Sequence, residues 1–381
     1  MIALAVAFCG WLPAMAASTD FDPAPGSPKH LDRSPGKVAL ADLDGDGDLD
    51  LAVAEPLGDV IGDNDHVAIF MNNGAGRFAA RSTSPESTGD NPSDIEPADI
   101  DGDGDLDLVI PNYSSGDLTI LVNNGLGNFS PRSTSPETGY DTAVAVAAVD
   151  VDGDGDLDLA VAQDTAKRVA ILVNNGLGNF RPRFTSPELA IADPHDIVAA
   201  DWDEDGDMDL AVASVNAHWV SVLYNTGVGN YVYRDFITVR QTGNAPDALA
   251  VLDANKDGHP DLAVANRTDN TVSVMLNNGH GLLTQRTTGP EAVGLRPNDL
   301  TAADFDGDGD TDLAVVNGNS GDATILVNNG FGNYSAAPTS PEGIGRGPVG
   351  VASGDIDGDG DPDLVASAFN DFDVVVLRNL G

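Results

Sequence analysis

The chemistry available to this sequence lies in carboxylates set at alternate positions of a short stretch. Asp42-Leu43-Asp44-Gly45-Asp46-Gly47-Asp48-Leu49-Asp50-Leu51 places Asp at positions 1, 3, 5, 7 and 9. The pattern returns as Asp99, Asp101, Asp103, Asp105, Asp107, and again as Asp150, Asp152, Asp154, Asp156, Asp158. It continues with Asp201, Asp203, Asp205, Asp207, Asp209, and with a fifth copy reading Asp253, Asn255, Asp257, His259, Asp261. Asp304, Asp306, Asp308, Asp310, Asp312 and Asp355, Asp357, Asp359, Asp361, Asp363 complete the set. Side chains at positions 1, 3, 5 and 9 can face a common centre, and the position-7 carbonyl can supply a fifth oxygen. Hard oxygen donors in that number suit Ca²⁺, which takes 6–8 oxygens in flexible geometry. Left without a cation, carboxylates about 4 Å apart repel by roughly 1 kcal/mol per pair in water and about 4 at an effective dielectric near 20.

Two plainer readings compete. Asp and Gly are ordinary turn formers, but solvated turns do not require twenty-seven Asp and one Asn at the twenty-eight side-chain ligand positions. An EF-hand also begins D-x-[DN]-x-[DN]-G, and it requires a bidentate Glu at position 12. Here that position holds Val53, Ile110, Val161, Val212, Val264, Val315 and Ala366, so the loop runs into a strand. The fifth copy, with Asn255, Lys256, His259 and Pro260, is expected to bind more weakly, His259 offering only its carbonyl. Loop four carries Glu204 where Gly is usual, at a non-ligand position.

The intervals between loop starts are 57, 51, 51, 52, 51 and 51 residues, and a fixed period of this length marks a repeat architecture. Each unit reads as four short strands. Strand A precedes the loop (Val38-Ala39-Leu40; Val144-Ala145-Val146-Ala147), and strand B follows it (Leu159-Ala160-Val161-Ala162). Strand C (Val169-Ala170-Ile171-Leu172-Val173) ends in Asn174-Asn175-Gly176, a φ > 0 hairpin signal. Strand D carries Phe180 and runs out through Phe184-Thr185-Ser186-Pro187-Glu188. No segment sustains a helical period. Radial repetition of such units gives an all-β, seven-bladed β-propeller with four-stranded blades.

The D-x-D-G-D-G-D-x-D-L core, followed by apolar strands and an Asn-Asn-Gly-x-Gly-x-Phe turn, resembles the FG-GAP/VCBS repeats that also build the propeller of integrin α subunits. The resemblance implies calcium loops at 42–50, 99–107, 150–158, 201–209, 253–261, 304–312 and 355–363, up to seven ions in all. It also implies that the A–B loops occupy one face of the ring and that the B–C and D–A connections occupy a ligand-binding face opposite.

The register predicts how the ring closes. From the Gly of Asn-Asn-Gly to the next loop's first Asp is 25 residues, as from Gly125 to Asp150, and the chain stops at Gly381 in that turn. Phe21 precedes Asp42 by 21 residues, as Phe78 precedes Asp99. Residues 18–29 are therefore expected to supply strand D of the last blade by pairing with residues 373–378, which removes a free sheet edge. The first unit is six residues longer between strands B and C, and the fourth interval gains one residue near Tyr231.

The formal charge of −43 would fall to about −29 with seven divalent ions bound, and such a field repels nucleic acid and anionic membranes. Residues 1–17 are apolar and end in Ala14-Met15-Ala16, which reads as a signal peptide lacking a basic start. Cys9 is the sole cysteine and lies within it, so residues 18–381 are expected to form one thiol-free propeller, exported to the cell exterior or periplasm. No later stretch approaches the ~20 apolar residues of a membrane span.

Function is expected to reside on the variable B–C rim: a secreted, monomeric, non-catalytic adhesion or binding module for a protein or glycan, with calcium mainly structural. Tyr113, Trp219, Phe369 and Phe372 are candidate contacts. The alternatives are a propeller-fold polysaccharide lyase or hydrolase and a purely structural module. Against an enzyme, His30, His66, His195 and His218 fall on different connections, without a nucleophile elbow or H-E-x-x-H. Asn112-Tyr113-Ser114 and Asn266-Arg267-Thr268 are glycosylation triplets.

Overall fold

The computed structural model describes residues 19–381 apart from 57–64, 134–136, 139–141, 184–187, 191–192, 234–241 and 287–288. The expected signal segment, most of the long first B–C connection and part of several outer strands lie outside the described residues. The surplus residue of the fourth interval, expected near Tyr231-Val232-Tyr233, is not in that strand, which pairs with strand C in the register of blade 3 (Leu223↔Tyr233, Leu172↔Pro182).

Seven antiparallel sheets follow one another along the chain. Blade 3 shows the pattern. Strand A (Ala143–Val149) pairs with B (Asp158–Gln163), B pairs with C (Arg168–Val173), and C pairs with D. The A strands touch their neighbours in sequence order, and that of blade 7 (Pro348–Gly354) touches that of blade 1 (Val38–Ala41). The sheets therefore form a closed ring with strand A innermost.

Strand D departs from the expected single strand. It is two short pieces, Ala79–Ala80 and Glu86–Ser87 in blade 1, both paired to strand C. The interruption coincides with Ser84-Pro85, where proline cannot donate to the ladder. Ser84 Oγ fills the gap by accepting the Ile69 amide at 2.7 Å, as Ser340 Oγ does for Ile325 at 2.9 Å.

Closure occurs as the register predicts. Phe21–Pro23 pairs with strand C of blade 7 as Phe21↔Asn379, Asp22↔Arg378 and Pro23↔Leu377, and Lys29–His30 pairs lower on the same strand. Ser27 Oγ accepts the Val376 amide at 2.9 Å, so the N-terminal segment reproduces even the Ser-Pro interruption seen in blades 1 and 6.

The core is not one mass but seven layers between blades. Val144, Ile171 and Ala160 of blade 3 pack with Ile197, Leu210 and Val212 of blade 4, and equivalent clusters join every other neighbouring pair. Strand B is buried along its length, as Asp158–Gln163 illustrates, because sheets packed on both faces have no solvent side. Alanine in strands A and B permits this close approach near the axis.

Candidate functional site

The Asp loops sit where strand A turns into strand B, and each position has a distinct role. Position 9 begins strand B and is buried in all seven copies. In loop one, Asp50 accepts the position-2 amide of Leu43 at 3.1 Å and the Asn72 amide from the end of strand C at 2.7 Å. Asp209 does the same with Trp202 and Asn225, at 3.1 and 2.8 Å. Position 1 braces the turn: Asp42 accepts the amides of Gly45 and Gly47 at 2.8 and 3.1 Å. Position 5 accepts the position-7 amide, at 3.0 Å from Asp48 to Asp46.

These bonds leave position 3 over. Oδ1 of Asp44, Asp101, Asp152 and Asp357 is buried and takes no hydrogen bond, and Asp304 Oδ1 at position 1 of loop six is in the same condition. Side-chain oxygens of Asp42, Asp44 and Asp50 lie within 4.8 Å of one another, as do those of Asp150, Asp152, Asp158 and of Asp201, Asp203, Asp209. In Asp99, Asp101, Asp103 and in Asp304, Asp306, Asp308 the converging positions are 1, 3 and 5. Buried acceptors without donors are rare in folded chains, and an array of them aimed at one point fits a cation. Several of the Asp clusters can hold metal ions.

The position-7 side chains do not converge. Asp48 lies against Gly74 of the C–D turn, and Asp105 against Gly125; a Cβ there would come within 2.6 and 2.5 Å of those carboxylates. The turn glycine is therefore required for space as well as for its φ of 69° and 71°. That leaves the carbonyl as the position-7 atom available to a metal.

Loops four to six are cross-linked. Glu204 and Lys256 occupy position 4 with φ of 58° each. Glu204 pairs with His259 of loop five, and Lys256 pairs with Asp310 of loop six. Asn255 Nδ2 donates to Asp257 Oδ2 at 2.9 Å. The residues that make loop five irregular thus tie it to its neighbours.

The sequence reading missed the first Asn of Asn-Asn-Gly. Asn174 Nδ2 donates to Leu157 O of its own loop at 2.9 Å and to Ile100 O, position 2 of the preceding blade's loop, at 2.7 Å. Asn72, Asn123, Asn225, Asn277, Asn328 and Asn379 make the same contact to the preceding loop, so the latch runs round the whole ring. Its only sequence signal was that an Asn opens every copy of the turn, where the motif asks only for Asn-Gly. Asn174→Ala strands two carbonyls next to buried side chains; a loss of about 2–4 kcal/mol is expected, read as a lower denaturation midpoint in calcium buffer.

Electrostatics at position 9 gives a second testable outcome. Burial pushes Asp50, Asp158 and Asp261 up to about 6 and Asp107, Asp209, Asp312 and Asp363 up to about 7; the strand-C amides oppose it and neighbouring loop carboxylates add to it. Unfolded Asp titrates near 3.9. Between about pH 4 and pH 7 the cation-free folded chain therefore binds more protons than the unfolded chain, and its stability falls as pH rises. A bound divalent cation reverses the sign, because protons then compete with the ion. Melting at pH 5 and pH 8, with and without chelator, should give slopes of opposite sign.

The opposite face holds a cavity of about 450 Å³. Every blade contributes to its wall, from Lys37 of blade 1 through Asp94, Ala145, Asp196, Asp247 and Asn298 to Val349 of blade 7, so it lies on the ring axis. Of the candidate aromatic contacts, Tyr113 and Phe369 line it. Trp219 instead starts strand C of blade 4 opposite Ser214, and the Phe372 ring lies tilted beside His30 with centroids 6.5 Å apart. The four histidines are dispersed. His30 meets Asp373 at 2.9 Å, His66 meets Glu55 at 2.5 Å, His195 meets Asp247 at 3.4 Å, and His218 accepts the Ala245 amide at 3.0 Å. Asn112 and Asn266 of the glycosylation triplets are fully buried, with Nδ2 bound inside the B–C turns.

A closed ring of seven sheets with an Asp-rich loop at each A–B turn defines a β-propeller with acidic A–B loops. The FG-GAP-like repeat profile matches residues 42–110, 109–161, 150–212, 201–264, 253–315 and 304–366. The chain belongs to the FG-GAP-like repeat family. No curated protein matches it. Among solved structures it is similar to a lectin of Agrocybe aegerita that recognises non-reducing terminal N-acetylglucosamine (22% identity, TM-score 0.59, covering 82% of this chain and 81% of the lectin). It is also similar to the periplasmic gluconolactonase of Pseudomonas aeruginosa (20%, 0.58, 88% of each) and the virginiamycin B lyase of Staphylococcus aureus (12%, 0.59, 94% and 99%). At these identities the likeness concerns the architecture, which carries binding proteins and enzymes alike.

Proposed function

We propose that this protein is an exported, calcium-stabilised binding module whose ligand, a protein or a glycan, docks on the face opposite the Asp loops. The orphaned, buried Oδ1 atoms at loop position 3 carry the metal half of this reading. Calcium is the ion of choice because every donor is a hard oxygen and the loops tolerate irregular geometry. Positions 1, 3, 5 and 9 would hold it through carboxylates and position 7 through its carbonyl. The ion supplies charge neutralisation at the A–B turns; the chain supplies turns already braced by their own amides. Export supports the ion's identity, since weak sites with dissociation constants of roughly 10⁻⁴–10⁻³ M fill where calcium is abundant.

The binding half rests on contrast. The loop face repeats nearly verbatim, whereas the B–C connections differ from blade to blade, for example Gln163-Asp164-Thr165-Ala166 against Asn266-Arg267-Thr268-Asp269. An asymmetric rim on a symmetric scaffold suits one ligand rather than seven equal ones. Retention on glycan and matrix-protein arrays in millimolar calcium, lost on chelation, is the expected result. Turnover of a polysaccharide without stable retention would favour the lyase or hydrolase reading, and silence in both assays would leave a structural module.

A further inference from the structure

One level of the axial wall breaks the repeat in an ordered way. Five residues before each loop start, blades 2, 4 and 6 carry Asp94, Asp196 and Asp299, while blades 3, 5 and 7 carry Ala145, Ala248 and Gly350. Blade 1 carries Lys37. Each carboxylate reaches across to the following blade and accepts a strand-A amide: Asp94 from Val146 at 3.3 Å, Asp196 from Leu249 at 2.7 Å, Asp299 from Val351 at 3.0 Å. The small residues on the odd blades leave room for these reaches and keep the axis open.

Charge at this level does not balance. Lys37 Nζ meets Asp299 Oδ1 at 2.7 Å. Burial alone would push its ammonium down, but Asp299, Asp196 and Asp94 together hold it well above the ordinary lysine range. One ammonium thus serves three carboxylates. Higher in the cavity Arg267 Nη1 meets Asp247 Oδ1 at 3.3 Å, and the remaining cationic lining group is Arg296. With Asp164, five carboxylates stand against three permanent cations, and His195 beside Asp247 at 3.4 Å adds a fourth only when protonated, so the carboxylates remain in excess. Burial pushes Asp196 up to about 7, against the pull of Lys37, so the apo cavity holds its surplus charge at a disadvantage that a cationic guest would relieve. The cavity is not merely acidic. Tyr113 and Phe369 present rings at its mouth, and Tyr113 donates to Asp164 at 3.3 Å. Aromatic faces, carboxylate acceptors and cationic donors around about 450 Å³ suit a compact polyhydroxylated group held on several sides.

We propose that the axial cavity is a single binding site per ring for the end of a carbohydrate chain bearing a protonated primary amine. The ammonium would sit among Asp94, Asp196 and the rim carboxylates, with the sugar face against Tyr113 or Phe369. Uronic-acid chains would meet the same surplus of carboxylates and be repelled. This inference rests on the binding reading above and narrows it to one site and one ligand class.

Calorimetry in saturating calcium tests it with a glucosamine oligomer, its N-acetylated counterpart, a galacturonic acid oligomer and a lysine-rich peptide. One glucosamine oligomer per chain is expected, with the N-acetylated and uronic oligomers at least about tenfold weaker. Asp196→Asn can still accept the Leu249 amide and should weaken the glucosamine oligomer about 10- to 100-fold without lowering the melting temperature. Tyr113→Ala, at the mouth and outside the inner wall, should weaken it as well. Equal binding of the N-acetylated oligomer, tighter binding of the peptide, several oligomers per chain, or no effect of either substitution would overturn the proposal. So would absence of binding to the glucosamine oligomer. Calcium-dependent retention of some other glycan, untouched by Asp196→Asn, would sink this inference while sparing the broader binding reading; loss of all retention regardless of calcium would sink both.

Discussion

Removing divalent cations at neutral pH is expected to lower the melting temperature by on the order of 20 °C or more, or to unfold the chain outright, with recovery on adding calcium back. The size follows from mass action. A site with a dissociation constant of about 10⁻⁴ M in roughly 1–10 mM calcium holds its ion at about 10 to 100 times that constant and gains roughly 1.4–2.7 kcal/mol. Seven such loops together gain on the order of 10–19 kcal/mol, as much as the whole net stability of a typical domain. The metal-free state is further penalised by position-9 carboxylates that must ionise while buried. Differential scanning calorimetry against calcium concentration measures the effect. A midpoint indifferent to chelation would refute the metal assignment. Asp44→Asn, Asp101→Asn and Asp152→Asn should each remove a fraction of the calcium dependence and leave the rest, because the loops occupy separate blades.

The second large effect concerns closure. Deleting residues through Leu31 removes the strand that completes blade 7. Ala24 and Leu31 are buried in the layer between blades 7 and 1, and Phe21 meets the Phe305 ring edge-on at 6.0 Å in the layer between blades 6 and 7. Backbone bonds Ala24 N to Val376 O at 2.9 Å and Leu31 N to Phe372 O at 2.7 Å are lost with them. Burial of such side chains is worth roughly 1.5–3 kcal/mol each when complete, so a loss of about 5 kcal/mol is expected. Asp373–Asn379 would then be an open edge able to pair with other chains. Light scattering should show more self-association for the shortened chain than for the intact one, and a synthetic peptide spanning residues 19–31 should reverse the difference. A shortened chain that matches the intact one in both association state and melting temperature would contradict this closure.

The blades, their order and the closing strand could be read from spacing alone, because each is set by local periodicity. The convergence of carboxylates at the A–B turns could be read from the alternation of residue type, since neighbouring odd positions of a tight turn face one side. What escaped was long-range or three-dimensional. The Asn174 latch reaches 74 residues back to Ile100, and nothing in a hairpin motif says that its first side chain faces another blade. The break in strand D was hidden because Ser84 replaces a backbone partner with a hydroxyl, which hydropathy does not record. The pairs Glu204–His259 and Lys256–Asp310 looked like decay of a motif when read singly. They join only once loops four, five and six stand side by side.

The two ends of the described chain lie on adjacent strands, with Phe21 opposite Asn379. Tension applied between residue 19 and residue 381 would therefore peel one short outer strand off its partner, bond by bond. Tension applied between the axial cavity and either end would instead be shared among layers clamped by the Asn ring. A tether loaded in the second way resists, and one loaded in the first way opens at a single seam.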